Sequence, residues 1–254
     1  MPYKFARDRE NYELYAGGGV LYSAPGHAAF PVRLAHEIFG RCMAYWEAGQ
    51  PARRCTLYDP CGGGAYHLAT LAYFNWDRIA RIVASDIDAE MLALGARNLS
   101  LLSLDGLDRR IEELADMAAR FGKESHAAAL AHAHTLRVRL AALTQDHAIE
   151  TRWFRADATD KNAIVAGLDG TQADIVITDI PYGQRSTWHP ATLALSAAED
   201  PVPQLLDALL PGLSPGAVVA VAAPKRTQIQ HERYRRLGKF TLGKRQTVFL
   251  QPSE

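Results

Sequence analysis

Three adjacent glycines follow an apolar segment that ends on a carboxylate, in the run Leu57-Tyr58-Asp59-Pro60-Cys61-Gly62-Gly63-Gly64. Glycine lets a backbone turn sharply and approach a ligand where a Cβ would collide. The N–H groups of a helix that follows such a loop point at the ligand, which suits a phosphate or a carboxylate. Asp59 repels a pyrophosphate and attracts an ammonium group. The stretch Asp59 to Gly64 therefore favours S-adenosylmethionine, which carries an amine, over a dinucleotide.

Two further acids follow apolar segments and suit the rest of such a cofactor. Asp86, with Ile87 beside it, lies ~20 residues beyond the glycines, where a ribose-binding acid belongs in a nucleotide-binding βαβ unit. Asp157 precedes the small residue Ala158, and this pair suits a hydrogen bond from the exocyclic amine of adenine. Either acid could instead cap a helix. Two neighbouring acids compete for those capping roles, Asp88 with Asp86 and Asp160 with Asp157.

The loop Asp179-Ile180-Pro181-Tyr182 follows another apolar segment and suits methylation of a nitrogen on a planar base. Asp179 can accept a hydrogen bond from the target N–H, and Pro181 holds the turn rigid. Tyr182 offers a ring on which a base can stack, a contact that contributes ~1–3 kcal/mol. The alternative is an ordinary Pro-Tyr turn with Asp179 as a cap.

The elements that must position these loops alternate between strand and helix. Apolar segments predict strands at 54–58, 81–86, 150–158, 173–179, 217–222 and 247–251, with a basic stretch before the last one. This pattern predicts an α/β fold with a doubly wound, mostly parallel Rossmann-like sheet and an antiparallel closing pair. Ligands bind such sheets at the carboxyl ends of the strands. The four acidic loops are therefore expected to converge on one edge.

Two regions depart from this alternation of strands and helices. Residues 1–25 are rich in Tyr and Gly and predict an irregular N-terminal arm, which leaves 26–254 as the main domain. Residues 105–150 read as a helical insertion in which Gly122 separates two helices. A helix within 26–48 starts near Phe30 and Pro31, and this pair is expected beside the cofactor.

Composition excludes several classes of protein. The 254 residues include no apolar run of ~18 residues and no signal-peptide core at the N-terminus, so no membrane partner is expected. The cysteines are odd in number and lack C-x-x-C spacing, which favours reduced thiols in the cytoplasm. The histidines of the insertion lack the H-E-x-x-H pattern, so no metal is expected.

Lysine and arginine balance aspartate and glutamate, but basic residues are concentrated near the C-terminus. The candidate RNA-binding residues of this stretch are Lys225, Arg226, Arg233, Arg235, Arg236 and Lys239. They would contact phosphates, while Tyr234 and Phe240 would be available for stacking on bases. The alternative is a solvated face without a ligand.

These motifs resemble those of the class I S-adenosylmethionine-dependent methyltransferases. Tyr58 to Gly64 is similar to their first motif, Asp86 to the ribose-binding acid and Asp157 to the adenine-contacting acid. Phe30-Pro31 resembles the segment that holds the methionine end. Asp179 to Tyr182 resembles the (Asp/Asn)-Pro-Pro-(Tyr/Phe) loop of enzymes that methylate amino groups of nucleic-acid bases, with Ile180 in place of the first proline. The fold implied is a seven-stranded methyltransferase sheet.

The whole chain also resembles rRNA methyltransferases that protect antibiotic producers. That resemblance implies methylation of a guanine base, at N1, in 23S rRNA or the large ribosomal subunit, with resistance to orthosomycins such as avilamycin. Other interpretations stay open. The chain could be a methyltransferase for DNA adenine or a small molecule, an NAD-dependent oxidoreductase, or a catalytically inactive RNA-binding scaffold. The oligomeric state also stays open.

Overall fold

A computed structural model describes residues 3–7, 11–15, 18–25, 30–48, 53–180 and 201–253. Its strands are β1 (Cys55–Asp59), β2 (Ile79–Asp86), β3 (Glu150–Arg155), β4 (Ala173–Asp179), β5 (Leu213–Pro224), β6 (Tyr234–Leu242) and β7 (Arg245–Pro252). Its helices are α1 (Val32–Trp46), α2 (Tyr66–Phe74), α3 (Ala89–Ser100), α4 (Leu104–Phe121), α5 (Glu124–Leu143), α6 (Lys161–Leu168) and α7 (Pro201–Leu209). None of these helices has the length and apolar character needed to cross a membrane.

The strands form one sheet in the order β3-β2-β1-β4-β5-β7-β6. The first five strands of this order pair in parallel, and β7 runs antiparallel to both β5 and β6. The predicted doubly wound, mostly parallel, seven-stranded fold is thus confirmed. The chain order reverses between β1 and β4, and ligands bind open α/β sheets at such a switch point.

The sheet carries a hydrophobic core on each face. Leu57 of β1 packs with α1, α2, α4 and α5, whereas the next residue, Tyr58, packs with α6 and α7 on the opposite face. Successive side chains of a strand point to opposite faces, so a strand covered on both sides must be apolar throughout. This requirement explains why the central strands read as continuous apolar runs.

One predicted strand ends earlier than expected, and one strand was not predicted. The strand predicted over 150–158 ends at Arg155, because the backbone turns at Asp157, whose carbonyl accepts a hydrogen bond from the Asp160 N–H at 3.0 Å. The basic stretch before the last strand contains β6, which the sequence analysis missed. Exposed arginine and lysine hide the alternation of this edge strand, whose inward residues include Tyr234 and Phe240.

The helical insertion is part of the core rather than an appendage. Helices α4 and α5 are separated at Gly122, as predicted, and this glycine ends α4 in the left-handed region with φ of 59°. Leu107 and Leu114 of α4, with Leu136 and Leu140 of α5, are buried in the core of the α1 face. Removing the insertion would therefore expose this core.

The described parts of the predicted arm also pack against the domain. The Glu37 carboxylate in α1 accepts hydrogen bonds from the N–H groups of Lys4, Phe5 and Ala6 at 2.7–3.0 Å. It also accepts one from Arg41 Nε at 2.7 Å. Because the Glu37 side chain is fully buried, these bonds fix the start of the chain onto α1.

Candidate active site

The glycine loop is folded over the end of β2. The Gly62 N–H donates to the Ser85 carbonyl and the Gly63 N–H to Asp86 Oδ2, both at 2.8 Å. Gly63 has φ of +49°, which favours glycine, and a Cβ built on it meets no described atom within 4 Å. A Cβ on Gly64 would lie 2.9 Å from Leu94 Cδ2. Two of the three glycines are thus explained by a left-handed backbone and by close packing on α3.

Asp59 is buried next to this loop. Its side chain is 1% exposed. Its Oδ1 accepts a hydrogen bond from the Cys61 N–H at 2.9 Å, and its Oδ2 lies 3.0 Å from His67 Nε2 in α2. The first role of Asp59 in the structure is therefore to organise the loop. An attraction for an ammonium group would act through the field of this carboxylate.

Asp86 stands at the carboxyl end of β2, where its carboxylate is half buried. Its Oδ1 accepts from the Asp88 N–H at 2.9 Å, in addition to the bond from Gly63. Burial raises the pKa of this carboxyl group, while the two backbone hydrogen bonds oppose that shift. A carboxylate has about four lone-pair sites, so Asp86 keeps acceptor capacity for ribose hydroxyls. Asp88, not Asp86, caps α3.

Asp157 lies next to this site in the structure, since the Ala156 N–H donates to the Asp86 carbonyl at 3.1 Å. The Asp157 Oδ1 accepts from the N–H and the hydroxyl of Thr159, at 2.9 and 2.7 Å. The cap of α6 is Asp160, so Asp157 does not serve as the helix cap. Ala158 is buried, and the Ile87 carbonyl accepts from Arg155 Nε at 3.0 Å.

Helix α2 begins directly after the glycine loop without a side-chain cap. Ala65 precedes it in the left-handed region with φ of 49°. In α3, α4 and α6 the first-turn N–H groups donate to the side chains of Asp88, Ser103 and Asp160, whereas α1 and α5, like α2, have no side-chain cap. The first-turn N–H groups of a helix need an acceptor and favour a negative one. This end of α2 fits the carboxylate of an amino-acid-like methyl donor.

Asp179 ends β4 and forms an ion pair with Arg245 at the start of β7, with 3.3 Å between Oδ2 and Nη1. The Arg245 guanidinium also lies over the ring of Phe30, 5.4 Å from its centroid. Phe30 in turn contacts the ring of His67, with 5.7 Å between centroids. These contacts connect the loop acid Asp179 to Asp59 next to the glycine loop. Pro31 precedes the first residue of α1, close to this group.

Ile180 stands where the similar loop motif has its first proline, and it makes a backbone hydrogen bond that a proline could not make. Its N–H donates to the Ala222 carbonyl at 3.2 Å and so extends the pairing of β4 with β5. Proline has no N–H and would lose this bond. The Ile180 side chain is 3% exposed and belongs to the core of the α6 face. Pro181 and Tyr182, which complete the predicted loop, lie outside the described residues.

The structure separates the six predicted RNA-binding cations into two groups. Arg233 forms an ion pair with Asp207 at 3.3 Å, and Arg235 donates to the Gln251 side chain at 3.0 Å. The other four line one recess: Lys225, Arg226, Arg236 and Lys239.

The prediction that Tyr234 and Phe240 stack on bases is wrong. Both side chains are buried, and the Tyr234 hydroxyl donates to the Leu206 carbonyl at 2.7 Å. Burial raises the pKa of Tyr234 above its ordinary value. Phe240 instead packs under Arg41, whose guanidinium lies 4.5 Å from its ring centroid. Both aromatics anchor the edge strand β6.

Sequence reasoning missed His67 and Arg245 as members of the site. Arg245 stands in the basic stretch, and no local pattern connects it to Asp179, which is distant along the chain. The connection arises because β7 inserts antiparallel beside β5, with Arg245 opposite Pro224. Within the part of the chain that the structure covers, no group of three or more acids, histidines or cysteines could hold a metal ion.

The sheet order, the glycine loop at the switch point and the acids at the strand ends define a class I methyltransferase. A family model described as rRNA methyltransferase AviRa matches residues 1–245, so the chain belongs to the AviRa family of rRNA methyltransferases. It is 38% identical to a Streptomyces viridochromogenes protein named 23S rRNA (guanine(2535)-N(1))-methyltransferase. That match covers 99% of this chain and 96% of the relative.

Solved structures agree with this assignment. The rRNA methyltransferase aviRa from Streptomyces viridochromogenes matches with a TM-score of 0.86 and 37% identity, over 99% of this chain and 96% of that one. TrmN from Thermus thermophilus matches with a TM-score of 0.51 and 14% identity, over 96% of this chain and 52% of that one. The second likeness shows the fold alone.

Proposed function

We propose that this enzyme transfers a methyl group from S-adenosylmethionine to N1 of a guanine in 23S rRNA. The observation that carries the proposal is full-length similarity to a guanine-N1 methyltransferase, together with an acid, Asp179, at the reacting edge of the sheet. The family resemblance also implies resistance to orthosomycins, and we propose that this resistance follows from the methylation. We place the enzyme in the cytoplasm with the large ribosomal subunit.

The residues that would hold the donor line the switch point of the sheet. Asp86 would accept hydrogen bonds from the ribose hydroxyls, and Asp157 from the adenine amine. The uncapped end of α2 would face the carboxylate of the methionine part, with Phe30 and Pro31 close by. S-adenosylmethionine supplies a methyl group on a sulfonium, which is already a good leaving group. The protein therefore mainly aligns the reactants and handles a proton.

Asp179 is the residue that we assign to the proton. Guanine N1 carries one hydrogen, which must leave when the N1–carbon bond forms and the carbon–sulfur bond breaks. The Asp179 carboxylate would accept a hydrogen bond from N1–H and receive this proton or pass it to water. Arg245 holds Oδ2 of that carboxylate and so fixes its direction. Pro181 and Tyr182 would shape the loop and stack on the base.

The Cys61 thiol, although close to the glycine loop, is not a candidate nucleophile. Burial raises its pKa well above the ordinary value, and the nearby carboxylates of Asp59 and Asp86 raise it further. A cysteine attacks as its thiolate, which is disfavoured under these conditions. The proposed reaction is therefore a direct transfer to the base.

The test is incubation of the protein with isotopically labelled S-adenosylmethionine and total rRNA, followed by mass mapping of the modified nucleotide. We expect label in 23S rRNA, on one guanine, with fragmentation that places the methyl group on N1. The matched control is Asp179→Asn, which preserves side-chain shape and should abolish transfer. Label on DNA adenine or on a small molecule, or on another guanine atom, would overturn the proposal. Expression of the wild-type chain should also raise the orthosomycin tolerance of a susceptible host.

A further inference from the structure

A basic recess of about 330 Å³ lies beside the end of β5. Its walls are residues 225–230, which follow β5, and the exposed side chains of Arg236 and Lys239 on β6. Lys225 and Arg226 complete a set of four cations around one opening. The remaining lining includes polar side chains such as Gln228 and Gln230. The recess therefore combines concentrated positive charge with neutral hydrogen-bonding groups.

The floor of the recess is rigid. The Gln246 side chain is buried and donates from Nε2 to the carbonyl groups of Pro224 and Thr227, at 3.1 and 2.6 Å. The Lys225 N–H donates to the Lys244 carbonyl at 3.0 Å. Ile229, within the same segment, is buried. One glutamine amide thus ties the loop to β7, and cations held on a rigid frame lose less entropy when they bind.

Among the described residues, these four cations differ from their neighbours in having no charged partner. No ion pair or side-chain hydrogen bond is described for them anywhere in 3–7, 11–15, 18–25, 30–48, 53–180 or 201–253. Arg233 and Arg235, from the same basic stretch, are engaged with Asp207 and Gln251. Four like charges around one opening repel each other, and an anion would relieve that repulsion. The recess has the charge of a multi-phosphate site.

The position of the recess suits a polymer that also reaches Asp179. Lys225 directly follows the carboxyl end of β5, and β5 pairs with β4, whose carboxyl end carries Asp179. Arg245 lies opposite Pro224 and contacts Asp179, so a single strand pair separates the recess from the reacting acid. Lys225 and Arg226 therefore lie at the edge of the sheet that carries Asp179, and Lys239 and Arg236 extend the recess back along β6.

We propose that this recess binds backbone phosphates of the rRNA substrate next to the target guanine, through Lys225, Arg226, Arg236 and Lys239. The proposal rests on the proposed function for its substrate and sharpens it. The whole basic stretch is not the RNA-binding surface, because Arg233 and Arg235 serve the structure of the protein. Phosphate contacts set the register of a nucleic acid, so the recess positions the target base at the Asp179 edge.

The experiment compares full-length variants in binding to protein-free 23S rRNA at several salt concentrations. The recess variant replaces Lys225, Arg226, Arg236 and Lys239 with glutamine. The matched control is Arg233→Gln with Arg235→Gln. Each phosphate contact contributes about 0.7–0.9 to the slope of log affinity against log salt, so the recess variant should lower that slope by roughly three. Its affinity should fall on the order of 10²-fold at ~0.15 M salt.

The control should keep the wild-type salt slope. Equal losses in the two variants would overturn the proposal in favour of a diffuse six-residue patch, and an unchanged slope in the recess variant would overturn it outright. S-adenosylmethionine affinity should be unchanged in both variants. Thermal unfolding should be unchanged in the recess variant, whose replaced side chains are exposed and make no ion pair within the described residues. If the wild-type chain methylates no 23S rRNA but its RNA binding depends on the four recess cations, the proposed function would be wrong. The assignment of the recess as a phosphate-binding site would still hold.

Discussion

Arg245 gives Asp179 a neighbour that the sequence motif alone does not supply. The guanidinium contacts Oδ2 of the carboxylate and the face of Phe30 at once. An arginine held on a ring keeps a defined direction, and its donors are fixed in a plane. At the scale of single residues, Arg245 therefore acts as a positioning residue for the acid that we assign to proton transfer.

Replacing Arg245 with glutamine should lower kcat/KM for rRNA about 10–100-fold, equivalent to about 1.4–2.7 kcal/mol of transition-state stabilisation. The loss should lie mainly in kcat, because Asp179 would lose its orientation while the RNA contacts elsewhere persist. Single-turnover methyl transfer at saturating donor and rRNA measures this effect.

The neighbouring substitution Lys244→Gln is the matched control, since Lys244 is exposed and contributes only its carbonyl to the structure. We expect Arg245→Lys to recover part of the rate, because it restores the charge without the planar fork. Equal activity in Arg245→Gln and in the wild type would remove Arg245 from the mechanism.

At the scale of elements, Glu37 makes α1 the anchor of the N-terminal segment. Replacement by glutamine keeps the volume but removes the charge and one acceptor oxygen. The buried N–H groups of Lys4 to Ala6 then lose part of their pairing. We expect a loss of roughly 2–4 kcal/mol in the free energy of unfolding, measured by urea titration at pH 7.

The same residue predicts a dependence on pH. Burial raises the pKa of Glu37, but the backbone hydrogen bonds and Arg41 outweigh it and hold the pKa below its ordinary value of 4.5. A carboxyl whose pKa is lowered by folding stabilises the protein fully above the unfolded pKa of about 4.3. This contribution is lost as pH falls through the folded pKa. The stability gap between wild type and Glu37→Gln should therefore narrow below about pH 4.5, and a constant gap would contradict this account.

Arg110 connects the helical insertion to the segment before α1. Its side chain is 8% exposed and donates to the carbonyl groups of Val20 and Gly19, at 2.9 and 2.7 Å. Its Nη1 also lies 2.9 Å from Glu113 Oε2. Hydrogen bonds from a buried cation to carbonyl groups are strong, and their loss leaves the acceptors unpaired.

We expect Arg110→Ala to lower the free energy of unfolding by about 3 kcal/mol. Its neighbour Arg109 is exposed on the same helix, and Arg109→Ala should change stability by less than about 0.5 kcal/mol. Chemical denaturation of both variants measures the difference. Equal and small effects would show that the Arg110 hydrogen bonds do not stabilise the contact between α4 and the segment before α1.

At the scale of the whole molecule, the arrangement of the sheet could be predicted, and several contacts within the site could not. The regular alternation of apolar runs and helices was enough to place Asp86, Asp157 and Asp179 near one edge, because parallel strands align their carboxyl ends. The strand β6 could not be recognised from the sequence, because exposed lysine and arginine side chains obscure the alternation of buried and exposed residues in this edge strand. The pairing of Asp59 with His67 could not be predicted either, because it is a tertiary contact that no local pattern contains.

The residues proposed to bind the methyl donor lie at the ends of several strands. Donor binding should therefore raise the Tm of the whole domain. A ligand that binds only the folded state at 100 times its Kd adds about 2.7 kcal/mol. For a chain of 254 residues this corresponds to a rise in Tm of roughly 5–10 °C. NAD should produce no shift, which separates the methyltransferase from an oxidoreductase.

The substitution Asp86→Asn should reduce this donor-induced shift by at least half, whatever its effect on the protein alone, because the ribose acceptor loses its charge. Asp88→Ala provides the matched comparison. Asp88 caps α3 through the N–H groups of Glu90 and Met91, so its replacement should lower the starting Tm while the donor-induced shift persists. Comparison of the Asp86 and Asp88 variants thus separates an effect on donor binding from an effect on stability. An undiminished shift in Asp86→Asn would show that the donor is held elsewhere on the sheet edge.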